Sequence, residues 1–371
     1  QMIGVDHVHI VEICGGCFIG QIHWVFQRQI PHRESFKLGI ACTDTPFVLM
    51  VQLGQTHSHF AAARTGGRHH HQGTSGLHIF VFAVSLVADN QGHIGGVAGN
   101  GVMEIDLQSQ MLQLGFELIR RRLAAYQAAG ITYLRDGGDR FGVCLRAREL
   151  ALEYGIIYRT PAFPIYKKGH YGSFIGRGWS DFAEYRALLA EAKAAGADFI
   201  KLMVSGLMDF SVYRRLTEEP LTGEEMHDLI AAAHDMGYAV MAHCNGAEAV
   251  KNAVLSGVDS IEHGAYLDDD ACHILAESRA VWVPTLSTIG NLIGSGRFPD
   301  EVAERILRSA QENIRKVANL GGLIGLGCDA GAFRVPHVEG TLSEEKWLRQ
   351  TLGEDTDDIL SAAEGQIRSK F

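Results

Sequence analysis

From about residue 106 onward, apolar side chains recur at helical spacing. Leu112, Phe116, Ile119, Leu123 and Tyr126 follow one another at steps of four, three, four and three, so they share one helix face. The pattern stops at Gly130, where glycine supplies a left-handed C-cap at little steric cost, and an apolar run at 131–134 reads as a strand. The cycle then repeats. Helices ending at Gly155, Gly196, Gly237 and Gly257 precede apolar runs at 156–158, 199–204, 238–242 and 258–261, and further runs stand at 281–284 and 323–326. Thr222 and Glu225 have the spacing of a capping box and open one of these helices. Seven strands alternating with helices need a parallel sheet with helical crossovers. One more strand from the N-terminal part closes an α/β fold of the (β/α)8 TIM-type barrel kind. The rival is an open doubly wound sheet, which wants a glycine-rich phosphate loop opening a helix after its first strand. The near match, Gly96 to Gly101, lies in a glycine-rich stretch that reads as a linker.

The first hundred residues are different. They hold only ten charged residues but 11 of the 18 histidines, and no helical period. Short β-prone runs stand at 47–52 and 78–84. The expected organisation is a small, incomplete N-terminal β-sandwich segment over 1–52, then a barrel over 53–371 that stops soon after its eighth strand.

Composition narrows the class. Of 371 residues, 46% are hydrophobic and 20% charged, as in a globular chain rather than a disordered or fibrous one. A net charge of −10 argues against nucleic acid or an anionic membrane as partner. The longest apolar run, 77–88, falls short of the ~20 residues of a spanning helix. Seven scattered cysteines suggest a reducing compartment, the cytoplasm, and no disulfide framework. A lone Cys14–Cys17 pair makes a poor zinc site. The chain opens on Gln1 without a signal peptide, so its start reads as a fragment boundary.

Barrels of this kind carry their chemistry at the C-terminal ends of the strands. Four apolar strands here end in Lys201, His243, His263 and Asp329. Singly, each has an ordinary reading: a snorkelling lysine, two hydrogen-bonded histidines, an N-cap aspartate. Together, two imidazoles, a carboxylate and a lysine at matching positions form a metal-ligand constellation, suited to zinc and its neighbours. Cys244 and Cys328, each beside a ligand position, should point into the packing as small core residues.

At these residues the sequence resembles the metal-dependent amidohydrolase superfamily, in particular its imidazolonepropionase-like and prolidase-like branch (Xaa-Pro dipeptidases and Lys/Arg carboxypeptidases). The motifs are Leu134-Arg-Asp-Gly-Gly138, Phe199-Ile-Lys-Leu202, Met241-Ala-His243, Ser260-Ile-Glu-His-Gly264 and Gly327-Cys-Asp-Ala-Gly331, in the family's order over residues 106–337. The resemblance implies two divalent metal ions, with zinc favoured, and a CO2-derived carbamate on Lys201 that bridges them. It places His243 and His263 on one ion and Asp329 on the other. It also implies an HxH pair at the end of strand one, for which His57 and His59 are preferred and His7 and His9 remain the alternative. Neither pair has the family's clean Gly-hydrophobic-hydrophobic-Asp lead-in, and the family's closing sandwich strand is missing after Asp329.

The implied reaction is hydrolysis of an amide C–N bond by a metal-bridged hydroxide, with Asp329 as general base and then acid. The expected partner is a small amide, a dipeptide or an N-acyl amino acid; homo-oligomerisation stays open. Tyr266, His170, Arg177 and His337 are candidates for binding substrate, with Tyr171 in the same loop as His170. Arg177 offers a planar fork for a carboxylate. Two alternatives stand beside this reading: a cyclic-amide hydrolase or deaminase of the same superfamily, and a metal-poor barrel that only binds.

Overall fold

The structure is a computed structural model, and it describes residues 19–24, 36–41, 48–51, 82–85 and 103–371, with side chains from 115 onward. The chain divides into two compact units, 1–116 and 117–371. In the first, β1 (Ile19–Trp24) pairs antiparallel with β2 (Phe36–Ala41), and β3 (Val48–Val51) pairs antiparallel with β4 (Phe82–Ser85). Helix α1 (Met103–Ala128) spans the division.

The second unit is built on parallel strands. They begin with β5 (Tyr133–Arg135), α2 (Val143–Ala151) and β6 (Ile157–Arg159). β7 (Pro164–Lys167) follows after Pro161 and Ala162, the latter at φ 64°. β8 (Arg177–Trp179) adds to the edge of β7, and α3 (Phe182–Ala194) returns the chain to β9 (Ile200–Met203). Then come α4 (Gly223–Asp235), β10 (Val240–Cys244), α5 (Ala247–Leu255), β11 (Ser260–His263), α6 (Asp269–Glu277) and β12 (Val281–Val283). The short α7 (Ser287–Gly290), α8 (Asp300–Asn319), β13 (Leu323–Ile324), α9 (Glu339–Leu352) and α10 (Thr356–Lys370) complete the unit.

Seven parallel strands form one sheet in the order β13-β12-β11-β10-β9-β7-β8, and β5 and β6 pair in parallel as a separate two-stranded sheet. From β7 to β13 the pairs are parallel and lie side by side in one sheet. β5, β6 and β9 to β13 each fall within about two residues of an apolar run read from the sequence, whereas β7 and β8 match none of those runs. The glycines behave as expected where the chain must reverse: Gly196 (φ 73°) and Gly237 (φ 83°) end α3 and α4 in the left-handed region. The Thr222–Glu225 capping box forms in both directions, at 3.2 and 3.0 Å. The first barrel strand, the expected boundary after residue 52 and the pairs His57/His59 and His7/His9 lie outside the described residues.

Three apolar clusters hold the unit together: one joins Leu123, Tyr126, Leu150, Ala151, Ile156 and Val338, and the other two pack against the sheet. The larger lies between sheet and helices and takes the outward residues of the strands, such as Leu202, Ala242, Ile261 and Trp282. The smaller fills the barrel from below with Phe199, Met241, Val281, Val283 and, from α10 and the residue after it, Ala363, Ile367 and Phe371. Strand alternation assigns residues to the two: on β10, Met241 faces in and Ala242 out. Cys244 joins the outer core, fully buried, and Cys328 is buried with its Sγ 3.5 Å from Thr341 Oγ1. Among the described residues four cysteines, Cys144, Cys244, Cys272 and Cys328, are free and buried, and no helix is long and apolar enough to cross a membrane.

Candidate active site

Sheet register places three of the four strand-end residues. Lys201 on β9 stands opposite Met241 on β10; two residues on, His243 stands opposite Glu262, and Cys244 opposite His263. Lys201 and His243 are thus on the inner face, one pleat apart. The inner face of β11 belongs to Ser260 and Glu262 by the same alternation, which would turn His263 outward. The backbone changes that. His263 adopts φ 72°, a left-handed conformation that costs a non-glycine residue about 1–3 kcal/mol, and its ring comes to 4.7 Å from the ring of His243. The turn is held from outside: Trp282 donates its indole N–H to the His263 carbonyl at 2.9 Å. Gly264 is required beside it, because a Cβ there would lie 2.3 Å from that indole nitrogen. Thr285 (φ 51°) and Asp329 (φ 57°), after the next two strands, share this unusual backbone. Such outliers gathered at one rim mark a functional site.

The hydrogen bonds decide which imidazole nitrogens are free. His243 places Nε2 3.1 Å from the carbonyl of Gly206. A carbonyl only accepts, so Nε2 carries the proton and Nδ1 keeps its lone pair. His263 uses Nδ1 instead, 2.7 Å from Thr285 Oγ1, which leaves Nε2 as its open position. Burial holds the pKa of His243 well below the usual value, with His263 and Lys201 adding to it, and holds that of His263 down at about 3. Both rings are therefore neutral, as metal ligands must be. Buried Asn245 ties the neighbouring turns together, donating to the Gly206 carbonyl at 3.3 Å and accepting from Ala265 N–H at 3.1 Å.

Lys201 and Asp329 complete the cluster. The lysine's charge acts on His243, His263 and Asp329 alike, so it lies within electrostatic reach of each of them. Burial lowers the Lys201 pKa, with Glu262 and Asp329 pulling the other way. Asp329 faces open space at the mouth, yet the surrounding protein raises its pKa and Lys201 only partly offsets this. Beneath them, Arg135 of β5 pairs with Glu262 at 2.9 Å, and its guanidinium lies 4.4 Å from the ring centre of Phe371. The donor set of two neutral imidazoles, a carboxylate and a buried lysine fits a divalent cation, although His, Cys, Asp and Glu alone form no cluster of three among the described residues.

The candidate substrate groups fall in different places. Tyr171 stacks on His243, with ring centres 4.9 Å apart, and its N–H donates to Glu218. His170 stands 3.8 Å from the same carboxylate. Tyr266 follows His263 at φ 65° and packs edge-on against Tyr213 at 5.7 Å; burial pushes its hydroxyl up to about 12. His337 lies after β13, its Nδ1 3.1 Å from the Tyr126 hydroxyl, and burial lowers its pKa to about 4. Arg177 begins β8, paired with Glu191 and stacked at 4.4 Å over Phe163. A cleft of ≈ 620 Å³ beside Tyr213, Arg305 and Arg308 contains none of the four central residues. Sequence reasoning passed over Thr285, Gly206, Asn245 and the Arg135–Glu262 pair. Arg135 and Glu262 stood within the motifs, but nothing linear ties Thr285 to His263 across 22 residues.

A parallel barrel with strand-end imidazoles, lysine and aspartate defines a class of (β/α)8 proteins, and the family follows from comparison. The amidohydrolase family profile matches residues 91–363, and the chain belongs to that family. Among solved structures it is similar to a Xaa-Pro dipeptidase with methionine bound in the active site, at TM-score 0.56 and 24% identity over 72% of this chain and 70% of that one. It is also similar to A. niger ochratoxinase, at TM-score 0.54 and 19% identity over 67% and 62%. These likenesses show the fold. An uncharacterized protein of Mycobacterium tuberculosis, Rv2915c, is 28% identical over 191 residues, 49% of this chain and 50% of that protein. The chain spans about half the length of the curated relatives it matches.

Proposed function

We propose that the protein is a metal-dependent hydrolase of an amide C–N bond, acting on a dipeptide or an N-acyl amino acid. The observation that carries this reading is the pair of buried imidazoles, His243 and His263, 4.7 Å apart with Nδ1 of one and Nε2 of the other left open, and with the Lys201 charge acting on both and on Asp329. Membership of the amidohydrolase family supports it. A fold relative with methionine bound puts amino-acid amides first among substrates to test.

His243 and His263 would hold one ion, Asp329 the other, and a carbamate on Lys201 both, with His57 and His59 as further proposed ligands. When bound, the ions would supply Lewis-acid polarisation of the carbonyl and a water acidic enough to react near neutral pH. The carbamate is needed because an ammonium there would repel two cations, whereas CO2 capture turns the side chain into an anion with two oxygens. Asp329 takes the proton from the attacking water as its oxygen bonds to the carbonyl carbon. As the C–N bond breaks, Asp329 returns that proton to the leaving nitrogen. The Gly206 carbonyl keeps His243 in one tautomer, and Thr285 fixes the orientation of the His263 ring. Tyr171 walls the site over His243. His170, Tyr266, His337 and Arg177 are proposed to bind substrate; Arg177 reaches a carboxylate only by leaving Glu191.

Elemental analysis joined to a library of dipeptides, N-acyl amino acids and lactams tests the reading. About two zinc-type ions per chain and turnover of linear amides are expected. Turnover of lactams alone moves the chain to the cyclic-amide class. A folded chain that takes up no metal is a binding module.

A further inference from the structure

Thr285 belongs to the turn between β12 and α7, and that turn is clamped from outside. Glu344, in the middle of α9, is fully buried. Its two carboxylate oxygens accept from the backbone N–H groups of Leu286 at 2.8 Å and Ser287 at 2.6 Å, the two residues directly after Thr285. Thr285 itself sits at φ 51°, a conformation that a β-branched residue adopts only under constraint. Other contacts seat α9 on the same turn. Ser287 Oγ donates to the Gly340 carbonyl at 3.2 Å, and a Cβ on Gly290 would come within 2.5 Å of the Trp347 ring. The start of α9 also reaches the opposite ligand, through the contact of Thr341 with Cys328, the neighbour of Asp329.

We propose that Glu344 is a positioning residue of the metal centre: it clamps the Leu286 and Ser287 amides so that Thr285 fixes the His263 imidazole with Nε2 toward the metal. The proposal rests on the metal-dependent reading above. A carboxylate is costly to bury, and the two amides it holds open a helix of only four residues. Packing alone would be met by an apolar side chain of similar size. What the carboxylate adds is a two-point grip on the segment that carries the His263 partner.

Co²⁺ titration of the full chain tests this with Glu344→Gln, Thr285→Val and the double variant. Glu344→Gln should weaken Co²⁺ binding about tenfold, the scale of losing a partner behind a metal ligand, and should shift the visible d–d absorption. Thr285→Val should do the same, and the double variant should bind no more weakly than either single one, because both act on one path. In metal-free protein, the ring ¹⁵N signals of His263 should report one fixed hydrogen-bonding state in the wild type and an average of states in Glu344→Gln. Unchanged Co²⁺ affinity with unchanged His263 signals overturns the proposal, as does a lower thermal midpoint with both unchanged, which assigns Glu344 to packing. Should Glu344→Gln fail to fold, Thr285→Val carries the same decision, since it exchanges a hydroxyl for a methyl. If the wild type takes up no Co²⁺, the metal reading fails, and the His263 signals alone decide whether Glu344 positions that ring.

Discussion

The guanidinium of Arg135 meets the carboxylate of Glu262 at 2.9 Å inside the barrel, with each side chain 8% exposed. Ser260 joins them, accepting from Arg135 at 2.8 Å and donating to Glu262 at 2.6 Å. Removing one partner leaves a buried charge unpaired. Arg135→Met should therefore destabilise the chain by about 3–5 kcal/mol, and replacing both Arg135 and Glu262 by Met should recover part of that loss. Urea unfolding of the two variants checks the order; a single variant as stable as the wild type would exclude a buried pair.

Asp329→Asn should retain metal and lose turnover. An amide can coordinate weakly but cannot accept the proton that Asp329 is proposed to carry. A fall in kcat of about 10²–10⁴ is expected. Steady-state kinetics with metal content measured on the same sample decides it, and a loss below about tenfold would remove the general-base role.

Lys201→Ala should lose most of the bound metal together with activity. Lys201→Glu should keep some, since it restores a carboxylate on a shorter stem. Small carboxylic acids should return part of the activity of Lys201→Ala by filling the vacated bridge, and bicarbonate should speed metal reconstitution of the wild type. A metal-to-protein ratio unchanged in Lys201→Ala would eliminate the carbamate.

Glu344 makes stability depend on pH. Burial raises its pKa from 4.5 to about 7 in the folded chain. Between those values the folded state keeps a proton that the unfolded state releases, so this contribution is full below about pH 4.5 and is lost as pH rises through about 7. The change is on the order of 3 kcal/mol. Glu344→Gln has no such proton, so its stability relative to the wild type should rise across that interval. Urea unfolding of the metal-free proteins at several pH values measures the difference, and parallel curves would refute the raised pKa.

Much of the fold was legible because its signals are local. A helical stripe such as Leu112 to Tyr126, a glycine after each helix and an apolar run of three to six residues all act within one turn or one strand. They located seven strands and the Thr222–Glu225 cap. The four central residues were legible for a related reason: each stands in or just after an apolar strand, Lys201 inside β9, His243 and His263 at the ends of β10 and β11 and Asp329 in the loop past β13, and parallel strands run toward one rim. The supporting residues were not. Thr285, Glu344 and Arg135 come from other strands and helices, and their partners lie 22, 57 or 58, and 125 to 127 residues away.

The sequence by itself determined the barrel class and the set of polar strand ends, because hydrophobic period and capping chemistry depend on neighbours along the chain. Only the tertiary structure decided how those ends are used. Alternation alone would have turned His263 outward; the left-handed backbone at 263, closed by Trp282 and permitted by Gly264, turned it in. Alternation could not say which nitrogen each imidazole would offer, since the Gly206 carbonyl and the Thr285 hydroxyl that settle it arrive from neighbouring loops. The physical reason is the same in both cases. A tautomer or a strained φ is fixed by groups that packing brings within about 3 Å, and that distance is set by the fold and not by the order of residues.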